Sequence, residues 1–304
     1  MASINGKGGV TLHVKIGTAP TSWGVWFPES DKQISWEKCM DEMAEAGYSG
    51  IELGPWGYFP KEYTRLKDEI QQRNLELVAT TLMDDLTSDS TTNAMISLLD
   101  QLASVQVQFE SAKYIVLIDA CYTDLVTGKL IRPQDLNDAE WESFVKNIIR
   151  IRDYAKVNYD LEVVFHPHAQ THVETETQME RLLEDTDINL CFDIGHHAYV
   201  GGNPVAFMRK HYKRISYLHL KNCDMKVREK MLQENWSFAK AVSEDIMVEP
   251  ELGVIDMVQF SEVLKEVDFK GWVIVEQDMY PAPIDKPFPI LKRTRRYLEK
   301  IGLG

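Results

Sequence analysis

Short apolar segments alternate with longer amphipathic segments along most of the chain. The apolar segments are rich in β-branched residues, which is typical of buried strands. They predict eight strands, at residues 14–20, 50–55, 76–83, 114–120, 161–168, 190–196, 214–222 and 271–278. The amphipathic segments predict helices at residues 36–46, 60–73, 94–111, 138–157, 177–183, 204–211, 256–267 and 287–301.

Eight apolar strands, each followed by a helix, indicate a parallel sheet covered by helices. The count of eight predicts a single α/β domain, a (β/α)8 TIM barrel, over residues 13–304. The alternative is a doubly wound sheet, which usually has a glycine-rich turn after its first strand that this chain lacks. Residues 1–12 are predicted to be a tail, either disordered or foreign to the natural protein.

One segment interrupts the alternation of strands and helices. Residues 223–251 separate the seventh strand from its helix, and they carry many charges together with Trp236 and Phe238. Insertions of this length are frequently lids or binding loops. We predict a lid-like loop over the barrel mouth that brings Trp236 or Phe238 near a substrate.

Charge and cysteine content limit the partners and the compartment. The chain has 33 basic and 47 acidic residues, for a formal net charge of −14. We therefore expect neither nucleic acid nor a membrane as partner, and a metal-dependent nuclease is disfavoured. The four cysteines form no CxxC pair, and no apolar stretch of signal-peptide length begins the chain. We expect a cytoplasmic protein and leave open whether it forms a homo-oligomer.

Ionisable side chains collect where the predicted strands end, which is where TIM-barrel enzymes have their active sites. These positions are Glu52, Asp119, His166, His168, Asp193, His196, His219, Lys221 and Glu276. Most of these groups bind metals or move protons. The sequence therefore predicts an active site at this end of the barrel.

Three of these residues suit a divalent metal ion. Asp193, His219 and Glu276 end three successive strands and offer two carboxylates and one imidazole. Such a set fits Mn²⁺ or Co²⁺, our first expectation, and also Mg²⁺ or Zn²⁺, with positions left open for substrate. The fourth ligand is open between His166 and Glu174.

The stretch "LCFDIGHHAY" carries one of these ligands. We predict that His196 faces the same pocket as Asp193 and that His197 points elsewhere, because consecutive residues rarely address one small site. The alternative is that Asp193 only caps a helix and that both imidazoles meet solvent or backbone.

Several stretches of the chain resemble the xylose-isomerase-like TIM-barrel family of sugar isomerases and epimerases. They are "GTAPTSWG", "MAEAGYSGIELGP", "VVFHPHAQTHVET", "CFDIGHHAYVGGNP", "YLHLKN", "ELGVID" and "VIVEQD". The pair "HPH…THVET" and "DIGHHAYVGGNP" is most similar to the inosose dehydratases of inositol catabolism. The resemblance implies one divalent metal held by Glu, Asp, His and Glu. Asp193, His219 and Glu276 match, whereas His166 stands where many relatives have Glu, and we expect Glu174 to replace the missing carboxylate.

The resemblance and the residues together predict a lyase or isomerase acting on a keto-polyol or keto-sugar through an enediolate held by the metal. Dehydration of an inosose is the leading case. His166, His168 and His196 are the predicted proton-transfer groups, with Lys221 as a further electrostatic or proton-donating group. The alternatives are an epimerase or isomerase, a lyase that removes the aglycone of a 3-keto-glycoside, and a non-catalytic carbohydrate-binding barrel.

Aromatic residues follow the first two strands, in "GVWFPESDKQ" and "GPWGYFP". This front is more aromatic than expected of a typical inosose dehydratase. We predict that its side chains contact the apolar face of a sugar ring, although plain packing is the alternative for each tryptophan. The predicted substrate-binding residues are Trp23, Glu52, Trp56 and Trp236.

Overall fold

The computed structural model describes residues 12–30 and 32–304, so the predicted tail lies outside the described residues except for Leu12. The strands are β1 (His13–Thr18), β2 (Gly50–Glu52), β3 (Glu76–Asp84), β4 (Tyr114–Asp119), β5 (Glu162–Phe165), β6 (Asn189–Asp193), β7 (Ile215–Leu220), β8 (Asn222–Cys223), β9 (Met247–Val248) and β10 (Lys270–Val275). The helices are α1 (Trp36–Glu45), α2 (Tyr63–Gln72), α3 (Asp89–Gln106), α4 (Asp138–Tyr159), α5 (Glu176–Asp185), α6 (Ile194–Tyr199), α7 (Pro204–His211), α8 (Met225–Glu234), α9 (Phe238–Ser243), α10 (Met257–Glu266) and α11 (Pro287–Lys300).

Eight parallel strands close into a barrel in the order β1-β10-β7-β6-β5-β4-β3-β2. The first and last strands pair along their whole length, from His13 with Lys270 to Thr18 with Val275. All eight predicted strands are present, and the predicted (β/α)8 barrel is confirmed. In the part of the chain that the structure describes, no helix has the length and apolar character needed to span a membrane.

The apolar core has two layers. Side chains such as Val116, Cys191 and Ile274 form a buried cluster with the Trp272 ring, and a larger cluster lies where the helices pack on the strands. Gly50 is required at its position because a Cβ there would lie 2.3 Å from Cζ3 of Trp272. The glycine on β2 therefore leaves the space that the Trp272 indole fills.

The boundary between β6 and α6 differs from the prediction. The predicted strand runs to residue 196, whereas β6 ends at Asp193 and α6 begins at the next residue. Asp193 caps this helix, because its Oδ1 accepts hydrogen bonds from the backbone N–H groups of Gly195 (2.8 Å) and His196 (2.9 Å). The apolar pattern alone does not reveal this stop.

The segment after β7 is ordered rather than a loop. It contains α8 and α9 and a small antiparallel pair of strands, β8 and β9. The Phe238 ring at the start of α9 lies 6.1 Å from the His168 ring and 6.4 Å from the His196 ring, between centroids. This segment therefore lies over the carboxyl ends of the barrel strands.

Candidate active site

Four buried side chains converge at the carboxyl end of the barrel. They are His166, Asp193, His219 and Glu276, and each offers one possible ligand atom within 4.8 Å of the others. They lie on or directly after β5, β6, β7 and β10, which are consecutive neighbours in the barrel. Parallel strands end at the same edge of a sheet, so residues distant in sequence meet here.

Glu174, the expected fourth ligand, lies outside this cluster. Its carboxylate accepts hydrogen bonds from the Tyr122 hydroxyl (2.7 Å) and from the backbone N–H of Gln170 (2.8 Å). These contacts hold Glu174 in the loop after β5, with both of its oxygens occupied. Of the two candidates for the fourth ligand, the structure therefore brings His166 into the cluster and leaves Glu174 outside it.

Hydrogen bonds orient both imidazoles of the cluster. Nδ1 of His166 lies 2.8 Å from the carbonyl oxygen of Pro167, which requires a proton on Nδ1 and leaves the Nε2 lone pair towards Asp193. Nε2 of His219 lies 3.0 Å from Oε2 of Glu52 and donates to it, and Nδ1 lies 3.1 Å from Oε2 of Glu276. Burial opposes a charge on this ring, but the neighbouring Cys191, Glu276 and Glu52 raise the pKa of His219 above its usual value, so a bound metal would replace the proton on Nδ1. Burial lowers the pKa of His166, which keeps this ring in the neutral form that a ligand needs.

The unpartnered atoms of the cluster fit a bound cation. Oδ2 of Asp193 and Nδ1 of His219 are buried and make no well-aligned hydrogen bond among the described residues, although the Lys221 ammonium forms an ion pair with Oδ2. Buried polar atoms without well-aligned hydrogen bonds are costly, and a divalent ion held between them would reduce this cost. Two nitrogen and two oxygen donors are typical of sites for Mn²⁺, Co²⁺ or Zn²⁺.

Lys221 lies beside the cluster. Its Nζ is 3.1 Å from Oδ2 of Asp193, 3.1 Å from Oε2 of Glu276 and 3.0 Å from Oδ2 of Asp278. Burial opposes its charge, but the three carboxylates more than offset burial and hold the pKa of Lys221 above its usual range. Lys221 is therefore an ammonium ion that balances charge, and Nε2 of His196, 3.2 Å away, accepts from it.

A cavity of about 410 Å³ opens on the cluster. Its polar lining residues come mainly from strand ends and include Glu52, His166, His168, His219, Glu276 and Asp278. Nδ1 of His168 lies 2.8 Å from the carbonyl oxygen of Ala169, so the proton is on Nδ1 and Nε2 is free to accept one. Burial lowers the pKa of His168.

The predicted substrate-binding residues divide into two groups. Glu52 and Trp56 line the cavity. Trp23 does not, because its indole is buried and its Nε1 donates a hydrogen bond to Glu42 at 2.7 Å. Trp236 is also absent from the lining; its ring packs beside Lys230 and Lys240 of its own segment, and Phe238 lines the cavity instead.

The two histidines of α6 take different directions. His196 lies behind Lys221 with its ring 3.9 Å from that of His168, and it is not part of the cavity lining. His197 packs between Phe192 and Phe207, at centroid distances of 5.2 and 5.0 Å. Asp193 caps the helix through Oδ1 and faces the cluster through Oδ2, so the capping role leaves Oδ2 available as a ligand atom.

Asp278, Phe27 and Met83 line the cavity although the sequence did not single them out. A signal for Asp278 was present, because it follows Glu276 by two residues and alternate residues of an extended chain share a face. Phe27 lies in the aromatic stretch "GVWFPESDKQ", so a signal was present for it too, whereas Met83 had none.

Comparison with known proteins identifies relatives over almost the full length. An inosose dehydratase of Clostridium beijerinckii is 30% identical over 305 residues, which span 96% of this chain and 99% of that protein. Among solved structures, the probable 3-DHS dehydratase AsbF from Bacillus anthracis has a TM-score of 0.71 at 19% identity, covering 94% of this chain and 99% of that one. The IOLI protein, solved with a zinc atom, has a TM-score of 0.69 at 17% identity, covering 95% and 98%.

The two solved structures establish the fold alone at these identities. A family model described as xylose isomerase-like TIM barrel matches residues 40–301, which is most of the chain. Together with the 30% identical relative, this match means that the chain belongs to the xylose isomerase-like TIM barrel family.

Proposed function

We propose that this protein is a divalent-metal-dependent lyase that dehydrates a keto-polyol, with an inosose as the leading substrate. One observation carries the proposal: a cluster of four metal-binding side chains opens on the same cavity as His168 and Asp278. The inosose dehydratase from Clostridium beijerinckii supports the choice of reaction and substrate.

The metal would be held by His166, Asp193, His219 and Glu276. We expect Mn²⁺ or Co²⁺ as the bound ion, with Zn²⁺ or Mg²⁺ as alternatives. When bound, a divalent ion polarises a carbonyl group and makes the neighbouring C–H more acidic. His166 was predicted from the sequence as a proton-transfer group, and here we assign it the role of a metal ligand instead. Its Nδ1–H bond to the carbonyl of Pro167 supports that change, because it directs Nε2 at the cluster.

His168 is the proposed base. It lines the cavity, its Nδ1 proton is held by the carbonyl of Ala169, and its Nε2 is unprotonated. A neutral imidazole is well suited to take a proton from carbon near neutral pH.

Asp278 is the proposed acid that delivers a proton to the departing hydroxyl group. It lines the same cavity, and burial raises its pKa although the ion pair with Lys221 opposes this, so its carboxylate can take up a proton and pass it on. Lys221 and His196 are proposed as positioning residues rather than proton carriers. Their support is the short contact between them and the contact of Lys221 with Asp278.

The other reactions considered are less well supported. An epimerase or isomerase uses the same base and also needs an acid to return the proton, so Asp278 would serve either reaction, and the inosose dehydratase relative is what favours a lyase. A non-catalytic carbohydrate-binding barrel has no need of a neutral, proton-accepting imidazole in its cavity. A lyase acting on 3-keto-glycosides keeps the same chemistry and is considered below. A cytoplasmic location is retained as a proposal on the four free cysteines.

The test begins with protein stripped of metal by a chelator and resupplied with Mn²⁺, Co²⁺, Zn²⁺ or Mg²⁺ in turn. Turnover is measured on a panel of keto-inositols and keto-sugars, by absorbance of the unsaturated ketone product and by deuterium uptake from D₂O. We expect metal-dependent loss of water from at least one keto-inositol. Deuterium uptake without loss of water identifies an isomerase or epimerase instead.

A matched variant separates the base from the ligands. His168→Gln should keep one bound metal per chain while turnover falls by about 10²–10⁴-fold, which is typical of losing a proton-transfer group. Turnover that is indifferent to the chelator, or no turnover on any keto compound, contradicts the proposal.

A further inference from the structure

The outer part of the cavity is apolar. Six side chains form what we call the apolar wall: Trp26, Phe27, Trp56, Met83, Leu125 and Phe238. They come from the loops after β1, β2 and β4, from the end of β3 and from α9. The polar lining residues come mainly from the strand ends instead. The cavity is thus divided into a polar, metal-binding part and an apolar part.

Aromatic contacts hold part of this wall in place. The Trp26 ring stacks on Tyr280 with centroids 4.5 Å apart and planes 9° apart. It lies 6.2 Å from Phe238 at an interplanar angle of 18°. Phe27 meets Tyr280 edge-on, at 5.9 Å and 74°. Trp26 is therefore a fixed flat surface rather than a mobile side chain, as suits the binding of a planar group.

Two members of the wall are left largely uncovered. Phe27 is 48% exposed and Met83 is 44% exposed, although both line the cavity. Apolar side chains grouped at a cavity and open to water mark a site that is covered when a ligand or another protein binds.

The volume of the cavity by itself fits a bare keto-polyol, and it is the apolar lining that points to a larger substrate. At about 30 Å³ per water in the liquid, its volume of about 410 Å³ corresponds to roughly 14 non-hydrogen atoms, and more at the density of an organic ligand. A six-carbon cyclic keto-polyol, with six carbon and six oxygen atoms, comes close to this number. Its hydroxyl groups would find few hydrogen-bonding side chains on the apolar wall.

We infer that the apolar wall is a subsite for a planar, apolar substituent, and that the substrate class is a keto-sugar bearing an aromatic aglycone. This inference rests on the proposed lyase function, keeps its elimination chemistry, and changes the substrate from a keto-polyol to a keto-glycoside whose leaving group is the aglycone. The base removes the proton between the carbonyl carbon and the glycosidic carbon. The electron pair of that C–H bond becomes the new C=C bond, the C–O bond to the aglycone breaks, and the departing oxygen takes a proton. The products are an unsaturated ketone and a free aryl alcohol, with no net oxidation.

The experiment compares 3-keto-glucosides that differ only in their aglycone. Phenyl and methyl 3-keto-glucosides are assayed with the metal-loaded protein beside the keto-inositol panel. We expect kcat/KM for the phenyl compound to exceed that for the methyl compound at least about tenfold, through burial of the ring on the wall. Because phenolate is also the better leaving group, the wall variants decide the cause of this preference.

Phe27→Ala and Trp56→Ala should lower kcat/KM for the phenyl compound at least about fivefold more than for the methyl compound. Tyr212→Ala is the control, because Tyr212 is a partly exposed aromatic residue in the turn that precedes β7, at the opposite end of the barrel. It should leave both rates unchanged. A preference for phenyl that survives both wall substitutions overturns the inference.

Binding of unreactive glucosides separates this inference from the proposed function. Phenyl and methyl glucoside are titrated against the metal-loaded protein by calorimetry, which needs no turnover. Tighter binding of phenyl glucoside that is lost in Phe27→Ala supports the subsite even if no keto compound reacts. If keto-inositols react but phenyl and methyl glucosides bind alike, the lyase stands and the subsite is wrong. If Phe27→Ala instead converts an oligomer to a monomer in sedimentation, the wall is an interface between copies and the inference is overturned.

Discussion

Glu52 provides a direct test of how the metal cluster is built. Its buried carboxylate accepts hydrogen bonds from Nε2 of His219 (3.0 Å), the Tyr217 hydroxyl (3.1 Å) and the Thr81 hydroxyl (2.9 Å). The bond to His219 keeps the proton on Nε2 and leaves Nδ1 for a metal. A carboxylate behind a ligating imidazole also raises the basicity of the ligand.

We predict the effect of Glu52→Gln from these three contacts. The amide oxygen still accepts from His219 and Tyr217, and the Thr81 hydroxyl reverses to accept from the new NH₂ group, so the geometry is retained. What is lost is the charge. A hydrogen bond to a charged group contributes about 1.5–3 kcal/mol and one between neutral groups about 0.5–1.5 kcal/mol. The difference of about 1–1.5 kcal/mol corresponds to roughly tenfold weaker metal binding, at the lower end of the effect typical of such partners.

The assay is competition for Mn²⁺ or Co²⁺ between the metal-stripped protein and a chromophoric chelator, which is independent of activity. Thr81→Val is the matched control, because it removes one hydrogen bond donated by a neutral hydroxyl and leaves both the charge of Glu52 and its bond to His219. We expect its metal affinity to change by less than about threefold. Wild-type affinity in Glu52→Gln refutes the proposed link from Glu52 through His219. An equal loss in both variants assigns the effect to general loosening of β2 and β3.

Three further predictions concern single side chains. His166→Ala should lose stoichiometric metal, whereas Glu174→Ala should keep it; metal analysis giving the reverse restores Glu174 as the ligand. Lys221→Met leaves three carboxylates together without their cation, so the free energy of unfolding of the metal-free protein should fall by about 3–5 kcal/mol in urea denaturation. Much of this loss should be regained when Mn²⁺ is added. Equal stability of the variant with and without metal contradicts this prediction. Burial alone lowers the pKa of His197 from 6.5 to about 4, so between pH 6.5 and 4 the unfolded state binds a proton that the folded state does not. Between pH 7 and pH 5 the wild type should therefore lose about 2 kcal/mol more free energy of unfolding than His197→Leu, as measured by urea denaturation. If the free energies of unfolding of the two proteins change in parallel with pH, the described environment of His197 is wrong.

Much of the fold was predictable because its causes are local. The strands and helices follow from the period of apolar residues, and the barrel follows from their number and alternation. The placement of Asp193, His219 and Glu276 in one site required only that each ends a parallel strand. No side-chain geometry was needed for these three residues.

The rest depended on where the chain goes after a strand ends. His166 and Glu174 are eight residues apart, and only the path of the loop, fixed by Tyr122 and Gln170, puts one in the cluster and the other outside it. Likewise Trp23 is turned into the core by its bond to Glu42, while Trp26, three residues on, lines the cavity. Periodicity determines which residues reach the carboxyl end of the barrel. The direction of each side chain there is determined by hydrogen bonds and ring contacts between segments distant in sequence, which only the tertiary structure brings together.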